Sequence, residues 1–163
     1  MRYHLFICRH AQAQDPAFQQ ADHERELTEE GKSEAFQAGE WIRQTGHKPD
    51  LIVCSSAQRT FHTASIIADR VGFDQDRIVS QKNLYDASET RLLNFLGTMD
   101  KSNFHIVIVG HNPGVSNLVA TLSGAHRGRI PTGSVHHLWF EMEGWNELEY
   151  TPAIGYETNI KYY

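Results

Sequence analysis

The chain has no apolar run near the ~18–20 residues that a membrane-spanning helix needs, so a helical membrane protein is not expected. Positive charge is not concentrated anywhere. There is no Lys/Arg-rich stretch, and the formal net charge is −5, which argues against nucleic acid or an anionic membrane as partner. A small anion in a local basic pocket is still allowed. Cysteine is scarce: Cys8 and Cys54 each sit inside an apolar run and read as buried free thiols of a reducing compartment. The first residues hold one arginine and a very short apolar run before Arg9 and His10, too brief for a signal peptide. A cytoplasmic protein is expected. Repeats, low-complexity segments and an interdomain linker are lacking, so residues 1–163 are expected to form one domain.

Histidine is plentiful, with ten in the chain, but ligand spacing is absent. There is no His-x3-His or Cys-x2-Cys pair. His136 and His137 are adjacent and face opposite sides of a strand. His105 and His111 flank an apolar run and would stand roughly 20 Å apart in extended chain. No metal or other cofactor is expected from local motifs.

What the chain does have is an alternation of apolar strands and amphipathic helices. Leu5–Cys8 reads as a buried strand that ends in Arg9-His10. A polar loop covers 11–26. Thr28 caps a helix with acidic residues in its first turn, and Gly46 and Pro49 end it. Leu51–Cys54 is a second strand, followed by a helix from 57 to 71. A short edge strand is predicted over 77–80 and a helix capped by Ser88 to about 98. His105–Val109 is the strongest strand pattern, and a helix begins near Pro113 and reaches about 122. Val135–Glu141 and 147–151 read as a closing antiparallel hairpin. The pattern predicts an α/β fold, a three-layer α/β/α sandwich on a mostly parallel sheet with one antiparallel edge region.

Four stretches place chemistry at strand ends, where open α/β sheets bind ligands. Arg9-His10 follows the first strand. Arg59 opens the second helix, where backbone N–H groups and the helix dipole already favour an anion. His111 follows the central strand between Gly110 and Gly114, and Arg25 enters the first helix through Leu27-Thr28-Glu29-Glu30-Gly31. Each alone has an ordinary structural explanation: a solvated helix arginine, a tight turn, a capped helix start. Together they form a basic rim suited to a tetrahedral phosphoryl group, with arginine forks for its oxygens and a histidine as base or nucleophile.

These motifs resemble the histidine phosphatase superfamily, whose fingerprint Arg-His-Gly stands here as Arg9-His10-Ala11. Arg59 in Ser-Ser-x-x-Arg-Thr and His111 in Gly-His-Asn-Pro-Gly match the family's second arginine and second histidine. The short length, the Arg-His-Ala variant, Leu27-Thr28-x-x-Gly31 and Leu84-Tyr85-x-Ala87 resemble the SixA group of phosphohistidine phosphatases. The resemblance spans roughly residues 3–140 and implies the phosphoglycerate mutase-like fold. It also implies a metal-free phosphatase in which His10 becomes a transient phosphohistidine, with Arg9, Arg59 and His111 holding the phosphoryl oxygens. Arg25, from its place at the entry to the first helix, is a further candidate for substrate binding. The neighbouring cations are expected to lower the pKa of His10.

The general acid is less evident. The inserted segment that carries it in larger members has no room here. Asp86 ranks first, with Glu89 and Asp15 as further candidates, and a cap beside Ser88 is an equal explanation for Asp86. A phosphohistidine substrate needs a dedicated acid less than an alkyl phosphate does, so phosphorylated protein is the expected partner. A small phosphorylated substrate is the alternative. Two rival readings are a non-catalytic phosphoprotein-binding module and a cysteine phosphatase built on Cys54 and Arg59. The second fits poorly: four residues separate the pair where that chemistry uses five, and an apolar run raises a thiol pKa. Arg127 and Arg129 in the 124–133 loop are equally well explained as substrate contacts or as solvated charges.

Overall fold

In the computed structural model, which describes residues 1–125 and 128–161, the fold is organised by strands that are apolar on both faces. β1 (Arg2–Arg9), β2 (Leu51–Ser55), β3 (Val79–Gln81), β4 (His105–Gly110), β5 (Val135–Glu141) and β6 (Gly155–Thr158) form one sheet in the order β3-β2-β4-β1-β5-β6. The four strands from β3 to β1 are mutually parallel. β5 runs antiparallel to β1, and β6 antiparallel to β5.

Period-two alternation sends successive side chains into two different cores. Leu5 and Ile7 of β1, Val53 of β2 and Ile106 and Ile108 of β4 face one layer. Phe6 and Cys8, Ile52 and Cys54, and Val107 and Val109 face the other. Helices α3 (Glu89–Gly97) and α4 (Gly114–Ser123) cover the first layer. α1 (Glu29–Gln44) and α2 (Gln58–Val71) pair over the second, with Ala38, Ile42, Ala64 and Ile67 buried. Burying a branched aliphatic side chain is worth about 1.5–3 kcal/mol, so these doubly covered strands pin the sheet register. Both thiols are buried and free, as the apolar runs around them predicted.

Helix ends follow the sequence closely. The Thr28 side chain accepts the Gly31 N–H, and Ser88 accepts the Arg91 N–H, each satisfying a first-turn donor. Two expectations need correction. Gln75–Arg77 is a 3-10 turn, closed by the Asp74 side chain on the Asp76 N–H, and the edge strand begins only at Val79. The segment expected to be the last strand is instead a 3-10 helix, Trp145–Tyr150. Trp145 and Leu148 lie one turn apart and both enter the core against α3, and the indole N–H donates to the Asn103 carbonyl at 2.7 Å. The final strand is β6, further along. Among the described residues, no helix is long and apolar enough to cross a membrane.

Candidate active site

β1, β2 and β4 end side by side, and the loops leaving them build a basic cradle. Arg9 is the last residue of β1 and shares the face of Leu5 and Ile7. His10 therefore turns to the opposite face, and its N–H extends the pairing by donating to the Gly110 carbonyl at 3.0 Å. The next peptide is tied to α2: the Ala11 N–H donates to Thr63 Oγ1 at 3.0 Å, and the Thr63 hydroxyl donates to the Arg59 carbonyl at 2.7 Å. The loop after β1 and the start of α2 are thus one hydrogen-bonded unit.

His10 is 9 % exposed. Its Nδ1 lies 2.8 Å from the Ala11 carbonyl oxygen. A carbonyl only accepts, so Nδ1 carries the proton and Nε2 keeps its lone pair. Burial, first of all, lowers its pKa to about 4, and the charges of His111, Arg59 and Arg9 contribute less. The direction expected from the sequence holds, but desolvation is the main cause, not the cations.

His111 follows β4, is buried, and stands with its ring centroid 5.5 Å from that of His10. Its Nε2 lies 2.6 Å from Ser55 Oγ, which in turn lies 2.6 Å from Thr60 Oγ1. The Thr60 hydroxyl has the Ser55 and Ala57 carbonyls as acceptors. With that proton on a carbonyl, Ser55 donates to Thr60 and accepts the His111 Nε2 proton. His111 Nδ1 then faces Arg59 Nη2 at 3.4 Å and Asp86 Oδ1 at 3.8 Å. Burial and the Arg59 charge lower the His111 pKa to about 4. His111 is therefore neutral near pH 7 and becomes a cation only if an arriving dianion draws a proton to it.

Arg59 is 4 % exposed and sits in the first turn of α2. It donates to the backbone carbonyl of Asp22 at 2.9 Å and to Asp22 Oδ2 at 3.0 Å. The Tyr85 hydroxyl donates to the same carboxylate oxygen. Arg25 donates to Asp22 Oδ1 at 2.9 Å and to the Gln14 carbonyl at 2.8 Å. Arg25 thus reaches the cradle through Asp22, whose carboxyl is held well below the usual range by the Tyr85 and Arg25 hydrogen bonds.

Arg9 takes the other side. Its Nη1 donates to the Ile130 carbonyl at 3.1 Å. Its Nε is the one buried side-chain polar atom without a hydrogen-bond partner among the described residues, and an unmet buried donor is costly unless something arrives to accept from it. Burial lowers its pKa, and the charge of Arg129 adds to that. Of the 124–133 loop, Arg129 and Ile130 therefore bear on the site, whereas Arg127 lies outside the described residues. Asn112 anchors the same loop by donating to the Ile130 carbonyl at 3.0 Å.

Asp86 stands at the rim, its side chain 61% exposed and its backbone in the left-handed region at φ 50°. A Cβ at Gly114 would lie 2.0 Å from the Ala87 carbonyl oxygen, so only glycine lets this loop dock on α4. Glu89 is the first residue of α3, behind the Ser88 cap. Asp15 is exposed. Two participants escaped sequence reasoning. Asp22 lies in a polar loop and reaches Arg59 from 37 residues away. Glu34 of α1 accepts from the Gln12 N–H at 2.8 Å and the Thr132 hydroxyl at 3.1 Å, clamping two rim loops. Neither sits in a motif with local spacing.

Known proteins share the fold. The chain is 30% identical over 103 residues to an uncharacterized protein of Mycobacterium tuberculosis, a match covering 63% of this chain and 62% of that protein. The chain thus spans about three-fifths of the length of the curated relatives it matches. A structure of a candidate phosphohistidine phosphatase SixA from Nakamurella multipartitia superposes with a TM-score of 0.82 at 22% identity, covering 96% of each chain. A mycobacterial glucosyl-3-phosphoglycerate phosphatase has a TM-score of 0.65 at 17% identity, over 98% of each chain. Both share the fold. The family model described as histidine phosphatase superfamily (branch 1) matches residues 5–88, just over half of the 163 residues, and it covers Arg9, His10, Arg25, Arg59 and Asp86. This chain belongs to the histidine phosphatase superfamily.

Proposed function

We propose that the protein is a metal-independent phosphatase acting on phosphohistidine borne by a protein. The observation that carries this reading is the His10 Nδ1–Ala11 carbonyl hydrogen bond, which fixes an unprotonated Nε2 beside Arg9, Arg59 and His111. In the first step, the Nε2 lone pair attacks phosphorus as the bond to the leaving nitrogen breaks, giving a phosphohistidine on His10. Arg59, the unpaired Arg9 Nε and a proton-bearing His111 Nδ1 stabilise the charge on the equatorial oxygens. Arg25 supports Arg59 through Asp22. Asp86 supplies the leaving-group proton when one is needed. It then takes a proton from the water that attacks phosphorus, releasing inorganic phosphate and restoring His10.

The reading favours a protein substrate because Asp86, at the edge of the cradle, is largely exposed. The glucosyl-3-phosphoglycerate phosphatase neighbour keeps a second reading in play, a small-molecule phosphomonoesterase using the same centre. A test measures phosphate release from a phosphohistidine-carrying protein and from p-nitrophenyl phosphate, with a chelator present, for the wild type and His10→Ala. Turnover of phosphohistidine that falls by roughly 10³-fold or more in the variant supports the nucleophile and the metal-free route. Preference for the phenyl ester favours the small-molecule reading. Binding of phosphoprotein without release would leave only a binding module.

A further inference from the structure

The opposite end of the sheet carries a second histidine assembly that the phosphatase centre does not use. His4 near the start of β1, His105 at the start of β4 and His137 of β5 are brought together by sheet register, in which His4 pairs with His105. His47, in the connection between α1 and β2, closes over them. His4 stacks on His47 with centroids 3.9 Å apart and on His105 at 4.9 Å. We propose that His4, His47 and His137 form a binding site for a transition-metal dication of the zinc class, far from the phosphatase centre, which fastens the α1–β2 connection to the sheet.

Geometry carries the proposal. One nitrogen from each of the three rings lies within 4.8 Å of the others. His4 Nδ1 and His137 Nε2 are 2.9 Å apart. Two nitrogens bound to one ion at about 2.0–2.1 Å stand roughly 2.9–3.4 Å apart, so this pair is already at bite distance. His47 belongs to a partly exposed loop, and its ring turns out of its stack on His4 to complete the set.

The surroundings are those of a ligand set. His137 Nδ1 donates to Glu157 Oε1 at 2.8 Å, which fixes the tautomer and turns the Nε2 lone pair inward. A carboxylate behind a ligating imidazole is the usual outer partner in zinc sites. His105 is placed the same way against Asp50, at 3.3 Å. Phe6 stacks on His137 at 4.2 Å and Trp139 tilts against it at 4.9 Å, giving the apolar wall that excludes competing water. Burial, followed by the neighbouring imidazoles, keeps His4 neutral with a pKa of about 3, and burial lowers His47 and His137 as well.

Proton balance is simple. Without metal, the proton on His4 Nδ1 bridges to His137 Nε2. On binding, that proton leaves to solvent as His4 takes up another at Nε2, so three neutral imidazoles coordinate with no net release. Imidazole nitrogens suit zinc, copper and nickel and disfavour magnesium and calcium. The set spans positions 4, 47 and 137, so no spacing motif could have exposed it.

The test uses the untagged full chain, titrated with Zn²⁺ by calorimetry and with Co²⁺ as an absorbing probe. One ion per chain is expected, together with a rise in melting temperature in Zn²⁺. His47→Ala should weaken binding more than tenfold and abolish the thermal shift. Glu157→Gln should weaken it about 10–100-fold, and His10→Ala should leave it unchanged. Wild-type affinity in both His47→Ala and Glu157→Gln would overturn the proposal. So would loss of binding in His10→Ala, or no binding by the wild type at millimolar metal.

Discussion

The Nδ1–H of His10 is committed to the carbonyl of the residue that follows it, Ala11, at 2.8 Å. The His10 ring is therefore oriented by its own backbone and not by a carboxylate. Together with burial, this sets how the protein should respond to pH. With His10 and His111 lowered to about 4, the reactive form of His10 is fully populated from pH 5 upward. His10 should limit the rate only as pH falls through about 4, and a pH profile of single-turnover phosphoryl transfer should show a flat acid side down to pH 5.

Stability follows the same sign. Both histidines bind protons less readily folded than unfolded, where the ordinary value is near 6.5. The unfolded chain takes up more protons between pH 6.5 and 4, so stability is complete above that window and lost through it on acidification. Thermal melts from pH 7 to 4 should show a steady fall. His111→Asn should flatten part of it.

Asp22 places a carboxylate where Arg59 would meet a phosphoryl oxygen. Substrate must share or displace that carboxylate. Asp22→Asn should lower KM for a small phosphoester roughly fivefold, the equivalent of the ~1 kcal/mol that a unit charge at close range exerts in solvated surroundings. Arg59→Lys should act in the opposite direction and reduce kcat/KM by about 10²-fold or more, because an ammonium cannot reproduce the fork. Steady-state kinetics of both variants check the pair.

The core arrangement was open to reading because β1, β2 and β4 are apolar on both faces, a pattern that only doubly covered strands show. Arg9-His10 and His111 were legible for the same reason, since they stand at the ends of such strands, and Arg59 because it opens the helix that follows one. The 3-10 helix at Trp145–Tyr150 was not, since its strand-like composition gave no hint that Trp145 and Leu148 would enter the core one turn apart. Asp22 was hidden because its partners, Arg59 and Tyr85, are distant in sequence.

Gly114 offers a test of how the rim is held. Its Cβ would strike the Ala87 carbonyl oxygen at 2.0 Å, so Gly114→Ala must push the 85–87 loop outward and carry Asp86 away from His111. The expected cost is about 1–3 kcal/mol of stability, measurable by urea unfolding. Leaving-group-dependent activity should drop more for an alkyl phosphate than for phosphohistidine, since only the former needs a strong proton donor. A variant with unaltered discrimination would remove Asp86 from the mechanism.

Cys54 gives a clean contrast. It is buried, with burial raising its thiol pKa to about 12, and so remains protonated and unreactive near neutrality. Treatment of the folded protein with iodoacetamide should leave phosphatase activity intact, and Cys54→Ala should act only on stability. Inactivation by alkylation would reinstate a thiolate mechanism.

The alternation of β1 has a consequence for what the chain tolerates. His4 and His10 lie on the same side of one strand because an even number of positions separates them, and Arg9 lies on the other side because an odd number does. A single residue inserted between Phe6 and Cys8 would reverse that parity. It would turn either the imidazole of His4 at one end of the strand or that of His10 at the other to the wrong layer, whatever the inserted residue was. The two ends of the molecule therefore cannot drift in length independently, and an insertion acceptable in the exposed 16–19 stretch would be rejected within these eight residues.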